Sequence, residues 1–283
     1  HGANMKRRAF WWMGCWGALA VGCQPSSPTD QGAVDGDGGS DTDVVEDTDS
    51  PVDTDPLPGD TADTSDPSIS GPLRVLFVGN SFTYWNGGLD AQLEKLTDDP
   101  LSTITVDADR EVQGGASLKV MWEWTNAVEV IEEGDYDVVV LQEDIPETDV
   151  ETFYEYARLF VPLIRDSGAE PVFFMAWPYQ RLNWIDLDEI ASAHEEMGTE
   201  LGVDVAPVAV AWDNAMTERP DLDMYGSDAE HPSRQGTYLA VNVVYATLTK
   251  TSPEGLAYRP GNVTEQDATF LQEIAWQTVQ DPP

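Results

Sequence analysis

Residues 73–283 are predicted to fold as an α/β domain on a parallel sheet with helices on both faces. Short β-branched and aromatic runs alternate with longer amphipathic stretches, the order that wraps strands with crossover helices. About 210 residues suffice for one such domain, and no internal repeat divides them. Five strand-like runs are read at 73–78, 102–106, 137–141, 171–175 and 203–208. The helix-like stretches between and after them are 89–97, 117–133, 150–166, 185–201, 236–248 and 265–279. A parallel sheet collects the carboxyl ends of its strands along one edge, where sites are expected.

Ahead of this domain the chain changes character twice. From Met5 it reads Lys6-Arg7-Arg8, an apolar stretch to Val21, then Gly22-Cys23. A basic start, a short apolar segment and a small residue before cysteine form a signal peptide over 1–23, resembling a bacterial lipoprotein signal with Cys23 as the lipidated residue. About thirteen apolar residues are too few to span a bilayer, which needs about 20. Gln24 rather than an aspartate follows the cysteine, which by resemblance to bacterial sorting signals favours the outer membrane. The expected location is a secreted lipoprotein held at a membrane through its lipid anchor.

Residues 24–72 hold thirteen acids and no Lys or Arg among Asp, Thr, Ser, Pro and Gly. Such a segment buries too little apolar surface to offset its ordering entropy, so a disordered, self-repelling linker is expected. Asp35, Asp37, Asp41, Asp43 and Glu46 sit at offsets reminiscent of a calcium loop, but the turn glycine position is Ser40 and no helices flank it. A passive stalk is therefore preferred.

The formal net charge is -38, from 52 acids against 14 bases. Nucleic acid and other polyanions are excluded as partners, because phosphate binding needs clustered cations. Both cysteines, Cys15 and Cys23, precede the domain, which rules out a disulfide framework or thiolate metal site within it. No metal or other cofactor is expected, and the domain is expected to be a monomer.

Two short segments carry the chemistry. Gly79-Asn80-Ser81-Phe82-Thr83 directly follows the first strand-like run, which puts Ser81 at the strand-to-helix turn on the sheet edge. Asn and Ser also cap helices well, so this segment alone leaves capping and catalysis open. Asp228-Ala229-Glu230-His231-Pro232 precedes the apolar run from Tyr238. A serine hydroxyl needs a base within hydrogen-bond reach and a third group to hold that base. The chain has three histidines, His1, His194 and His231. His1 lies outside any fold, and His194, within Ala193-His194-Glu195-Glu196, reads as solvated helix surface.

These segments resemble the first and last blocks of the SGNH (GDSL-type) hydrolases, in the variant reading G-N-S-F-T, with the D-x-x-H pattern on Asp228 and His231. The resemblance spans essentially all of 73–283. It implies a flavodoxin-like three-layer α/β/α sandwich with a five-stranded parallel sheet, and a serine esterase in which Ser81 attacks, His231 is the general base and Asp228 orients the imidazole. Glu230 adjoins the base, but the family pattern places the acid at Asp228.

Acyl transfer also needs donors aimed at the developing oxyanion. The backbone N–H of Ser81 is the first. Gln113-Gly114-Gly115-Ala116-Ser117 resembles the second family block and suggests Gly115, preferred over Gly114. The asparagine of the family's G-x-N-D block is absent, since the chain reads Gln142-Glu143-Asp144 there. Gln142 is taken as the third donor because its amide donates, whereas an ionised Asp144 only accepts. Tyr84, Trp85, Trp177 and Tyr179 offer a sugar-stacking platform or ordinary packing.

The expected function is hydrolysis of short-chain esters, acetyl first, on a small-molecule or carbohydrate substrate. An acyltransferase of the same fold and a non-catalytic glycan-binding surface lipoprotein are the alternatives. Serine, acid and histidine at all three positions argue against the last.

Overall fold

The computed structural model describes residues 71–182 and 184–281. The expected signal peptide with Cys23, the calcium offsets, and all but the last two residues of the acidic linker lie outside them. Among the described residues, no helix is long and apolar enough to cross a membrane.

Strands β1 (Leu73–Gly79), β2 (Val106–Val112), β3 (Val138–Gln142), β4 (Glu170–Phe174) and β5 (Asp204–Ala206) form one sheet in the order β2-β1-β3-β4-β5. Every neighbouring pair is parallel. Val75 to Val78 of β1 and all of β3 are buried. A parallel strand covered on both faces is apolar at successive residues rather than at alternate ones, which is how β1 and β3 read.

Helices α1 (Ser81–Tyr84), α2 (Leu89–Thr97), α3 (Leu118–Trp124), α4 (Ala127–Glu133), α5 (Val150–Asp166), α6 (Leu187–Leu201), α7 (Val208–Glu218), α8 (Arg234–Thr249) and α9 (Glu265–Gln280) complete the domain. Helices α2, α7, α8 and α9 pack together, while α3, α4, α5 and α6 make a second group. Right-handed crossovers require the connection from β1 to β2 and those leading to β3, β4 and β5 to run on opposite faces. The result is a three-layer α/β/α sandwich. Asp149, Asp186, Ser233 and Thr264 cap α5, α6, α8 and α9, each accepting from a backbone N–H three residues on.

Because β1 pairs with β2 on one side and β3 on the other, the chain reverses direction across the sheet between β1 and β3. A crevice opens at the carboxyl ends of strands at such a point. The segment after β1, which holds Ser81, and the end of β3 with the residues after it, Gln142-Glu143-Asp144, meet there.

The structure corrects several expected boundaries. The second strand is Val106–Val112, not 102–106: among the described residues β2 pairs only with β1, and this edge position tolerates Asp107, Asp109, Arg110 and Glu111. Those charges hid the strand, while the β-branched 102–105 segment is a connection. The helix expected over 117–133 breaks between α3 and α4. There the Thr125 hydroxyl donates to the Met121 carbonyl and accepts from Ala127 N, taking over bonds a continuous helix would make. The fifth strand is only Asp204–Ala206, and the apolar run beyond Pro207 forms α7, which sequence reading missed. Val208, Ala209, Ala211, Trp212 and Ala215 are all buried, so α7 carries too little polar periodicity to be separated from a strand.

His194 is corrected as well. It is 1% exposed inside α6, against Phe153, although charged residues flank it in sequence.

Candidate functional site

The site begins with the way β1 ends. A Cβ built on Gly79 would lie 2.6 Å from Gln142 Oε1 and 2.7 Å from Thr83 Oγ1, so glycine is required for the turn to pack against the end of β3. Asn80 then caps α1, its Oδ1 accepting from Phe82 N at 3.0 Å. Its backbone N–H donates to Gln142 Oε1 at 2.9 Å, and its Nδ2 donates to Asp144 Oδ2 at 2.9 Å. Capping and chemistry are thus divided between neighbours: Asn80 anchors the turn, and the Ser81 hydroxyl is left to face His231.

His231 arrives from a loop closed on itself. Gly226 N donates to the His231 carbonyl at 2.7 Å and Ser233 N to the Met224 carbonyl at 2.9 Å, while Tyr225 and Pro232 form an antiparallel bridge. Asp228 Oδ1 accepts from both Glu230 N (3.1 Å) and His231 N (3.0 Å), so the carboxylate organises the turn that presents its own partner. Ala229, between them, has φ 60°. A left-handed alanine costs roughly 1–2 kcal/mol, which this loop must offset. The segment after β4 braces it, with Gln180 N donating to the Ala229 carbonyl and Trp177 Nε1 to the Glu230 carbonyl.

The three groups meet in line. Ser81 Oγ lies 2.8 Å from His231 Nε2, and His231 Nδ1 lies 2.8 Å from Asp228 Oδ2. A carboxylate only accepts, so the ring proton sits on Nδ1 and Nε2 is left to accept from the serine hydroxyl. Desolvation pushes the Asp228 carboxyl up, but the hydrogen bonds from the His231 ring, His231 N and Glu230 N outweigh it and hold the pKa below the usual carboxylate range. Glu230 is turned away, paired with Arg181 at 2.5 Å.

The aromatics divide. Trp177 is fully buried and stacks on Trp212 at 4.0 Å, and Tyr179 is buried with its hydroxyl on Asp144 Oδ1. Trp85 is at the rim, its indole stacked on the His231 ring at 4.0 Å and 22°.

Of the expected oxyanion donors, Ser81 heads α1 and Gly115 lies in an exposed loop with φ 66°, a backbone that favours glycine. Gln142 is placed differently from the expectation. It is buried beneath the turn, its Oε1 accepting from Asn80 N and Thr83 Oγ1 and its Nε2 donating to the Glu143 carbonyl. Its amide ties β3 to the nucleophile turn, because the end of a central strand lies under the edge rather than on it.

Sequence reading also missed a buried acid pair behind the turn. Asp144 joins Asn80 to Tyr179, and Glu143 accepts from Leu118 N (3.0 Å) and Asp144 N (2.6 Å). Burial pushes the Glu143 carboxyl up to about 7, against the downward pull of those two N–H donors. Adjacent acids in a polar loop gave no sign of burial. Asn86 was missed too, although Asn86-Gly87-Gly88 is a turn signal.

Among solved structures, the chain is similar to a Slackia heliotrinireducens protein described as a candidate SGNH hydrolase (24% identity, TM-score 0.53, covering 63% of this chain and 100% of that one). It is also similar to a DUF4886 family protein from Bacteroides uniformis (17% identity, TM-score 0.58, 75% and 96% covered). A mutant of an acetyl-xylooligosaccharide esterase from Geobacillus shows the same likeness (13% identity, TM-score 0.50, 64% and 96% covered). No family model and no curated protein matches the sequence. At these identities the likeness is one of fold, the α/β/α sandwich of SGNH hydrolases.

Proposed function

We propose that the domain is a serine hydrolase of the SGNH type that cleaves carboxylic esters. The observation that carries this reading is the unbroken line from Ser81 Oγ to His231 Nε2 to Asp228, each step 2.8 Å. In the reaction, Ser81 Oγ bonds to the ester carbonyl carbon as its proton passes to His231 Nε2. The carbonyl oxygen becomes an oxyanion facing the N–H groups of Ser81 and Gly115. Collapse breaks the bond to the alcohol oxygen, which takes the proton back from Nε2 and leaves an acyl-serine. Water then repeats the sequence, giving up a proton to Nε2, and the acid departs as Ser81 Oγ is reprotonated. Asp228 holds the ring and stabilises the imidazolium in both halves.

The substrate in this proposal is a short acyl ester, acetyl first, on a neutral carbohydrate or small alcohol. The acidic surface disfavours polyanions, and the indole of Trp85 supplies a half-exposed apolar wall beside the base. The same proposal places the enzyme on a membrane through Cys23, with 24–72 as tether. Replacing water by a sugar hydroxyl in the second half would make the domain an acyltransferase.

A fluorophosphonate probe tests the reading, since it reacts only with an activated serine. Labelling is expected in the parent chain and absent in Ser81→Ala, and equal labelling of both sinks the assignment. Graded p-nitrophenyl esters and acetylated sugars, with and without an acceptor alcohol, identify the acyl group and the acceptor.

A further inference from the structure

We propose that Trp85 is a further catalytic residue and Asn86 its positioning partner: the indole carries the His231 ring as it becomes charged, and the Asn86 amide pins the chain that presents that ring. This rests on the serine-hydrolase reading above. Both residues follow directly from α1, so the turn that delivers Ser81 also delivers them.

The indole and imidazole centroids are 4.0 Å apart with planes 22° from parallel, while Phe82 meets the imidazole edge-on at 5.7 Å. Trp85 is 36% exposed, so it forms the outer wall of the base and separates one ring face from water. When Ser81 attacks, the imidazole gains a second proton and its charge spreads over the ring. The negative face of an indole attracts that cation more strongly than the neutral ring. An interaction stronger in the charged state lowers the barrier rather than merely binding substrate. Asp228 acts in the plane of the ring, and Trp85 acts from above it. Glu230, next to His231 in sequence, pairs with Arg181 at 2.5 Å.

Asn86 fixes where that stack forms. Its Nδ2 lies 3.0 Å from the Pro232 carbonyl, 2.9 Å from the Ser233 carbonyl and 2.9 Å from Thr237 Oγ1. Pro232 and Ser233 immediately follow His231, so one amide bolts the nucleophile segment to the base loop across about 150 residues of chain. Its backbone is left-handed, at φ 52° and ψ 27°, a conformation asparagine tolerates better than most residues. An aspartate there would turn an acceptor-only carboxylate on two carbonyls. Donor chemistry and backbone preference together select asparagine.

The test uses the full chain and p-nitrophenyl acetate, with folding checked by thermal melting. Trp85→Leu is expected to lower kcat roughly three- to thirty-fold with KM nearly unchanged, and Trp85→Phe to recover part of the loss. Asn86→Gly keeps the left-handed backbone but removes the amide. It is expected to lower kcat about tenfold and to slow fluorophosphonate capture of Ser81 in proportion. Trp124→Leu, an exposed tryptophan on α3, serves as the control for general loss of aromatic surface. If Trp85→Leu changes only KM, or Trp85→Phe recovers nothing, the catalytic role of the indole is overturned. Unchanged capture in Asn86→Gly overturns the positioning role. If Ser81→Ala is inactive while the Trp85 and Asn86 variants keep full kcat, this inference falls alone. Activity remaining in Ser81→Ala removes the reading beneath it as well.

Discussion

His231 and His194 each place Nδ1 at 2.8 Å from an oxygen, and in both the ring proton sits on that nitrogen, but everything else about the two sites differs. His231 donates to a carboxylate and turns Nε2 to a hydroxyl. His194 donates to the Ile190 carbonyl, one helical turn back, and its buried Nε2 has no hydrogen-bond partner among the described residues. Desolvation pushes the His194 pKa down to about 4, with the Ile190 carbonyl pulling weakly the other way. A ring that cannot afford a charge cannot take a proton in a reaction. What separates a base from a core residue is therefore the compensating charge on one side and the proton donor on the other.

The largest expected effect separates the two histidines directly. His231→Ala, like Ser81→Ala, is expected to lower kcat/KM on a p-nitrophenyl ester by about a thousandfold or more, because the members of such a unit act together. His194→Leu is expected to leave kcat/KM within about twofold, since it exchanges one buried ring for an apolar group of similar size. A dead His194→Leu that still folds would collapse the comparison.

Asp228→Asn comes next. It leaves a hydrogen-bonding group in place but removes the charge and permits the wrong tautomer. A loss of kcat of roughly a hundred- to ten-thousandfold is expected, with the ring still present. If kcat is unchanged, the acid is not part of the unit.

Gln142→Ala sharpens a third contrast, between the rim and what lies beneath it. Because its Oε1 accepts from Asn80 N and Thr83 Oγ1 in the nucleophile turn, its removal leaves Asn80 N–H buried and unpaired. The expected result is a loss of about 1–3 kcal/mol in chemical denaturation, with a smaller effect on kcat than Asp228→Asn. A large fall in kcat at unchanged stability would restore Gln142 as an oxyanion donor.

The smallest effect is in the pH dependence of stability, where His194 and Glu143 oppose one another. His194 has its folded pKa depressed to about 4 from 6.5, so the unfolded chain holds more protons between those values. Its contribution is present above 6.5 and is lost as pH falls towards 4. Glu143 has its folded pKa raised to about 7 from 4.5, so the folded chain holds more protons in that interval. Its contribution is full below 4.5 and is lost as pH rises through 7. Between 4.5 and 6.5 the two slopes cancel in part, each being at most about 1.4 kcal/mol per pH unit. Glu143→Gln should therefore make urea stability fall more steeply with acid over this range, and His194→Leu should make it rise. Parallel slopes in both variants would show that neither group is isolated from water.

The amino-acid sequence by itself determined the alternation of strands and helices, the placement of Ser81 just beyond β1, and the candidacy of Asp228 and His231. These are local matters: an apolar run ending in glycine makes a strand and a turn wherever it is, and Asp228 reaches His231 because only two residues of one loop separate them. Only the tertiary structure decided the rest. Whether His194 is wet or dry depends on Phe153, forty-one residues away, and not on the glutamates beside it. Whether Gln142 points at substrate or at Asn80 depends on where β1 ends against β3. The β2 edge strand was obscured by charges that are admissible because, among the described residues, no strand pairs on its far side. Asn86 meets the loop after His231 only because α1 and α8 converge on the same end of the sheet. Sequence periodicity reports which face of an element is apolar, while burial, hydrogen-bond direction and ring stacking are properties of pairs that only the folded chain brings together.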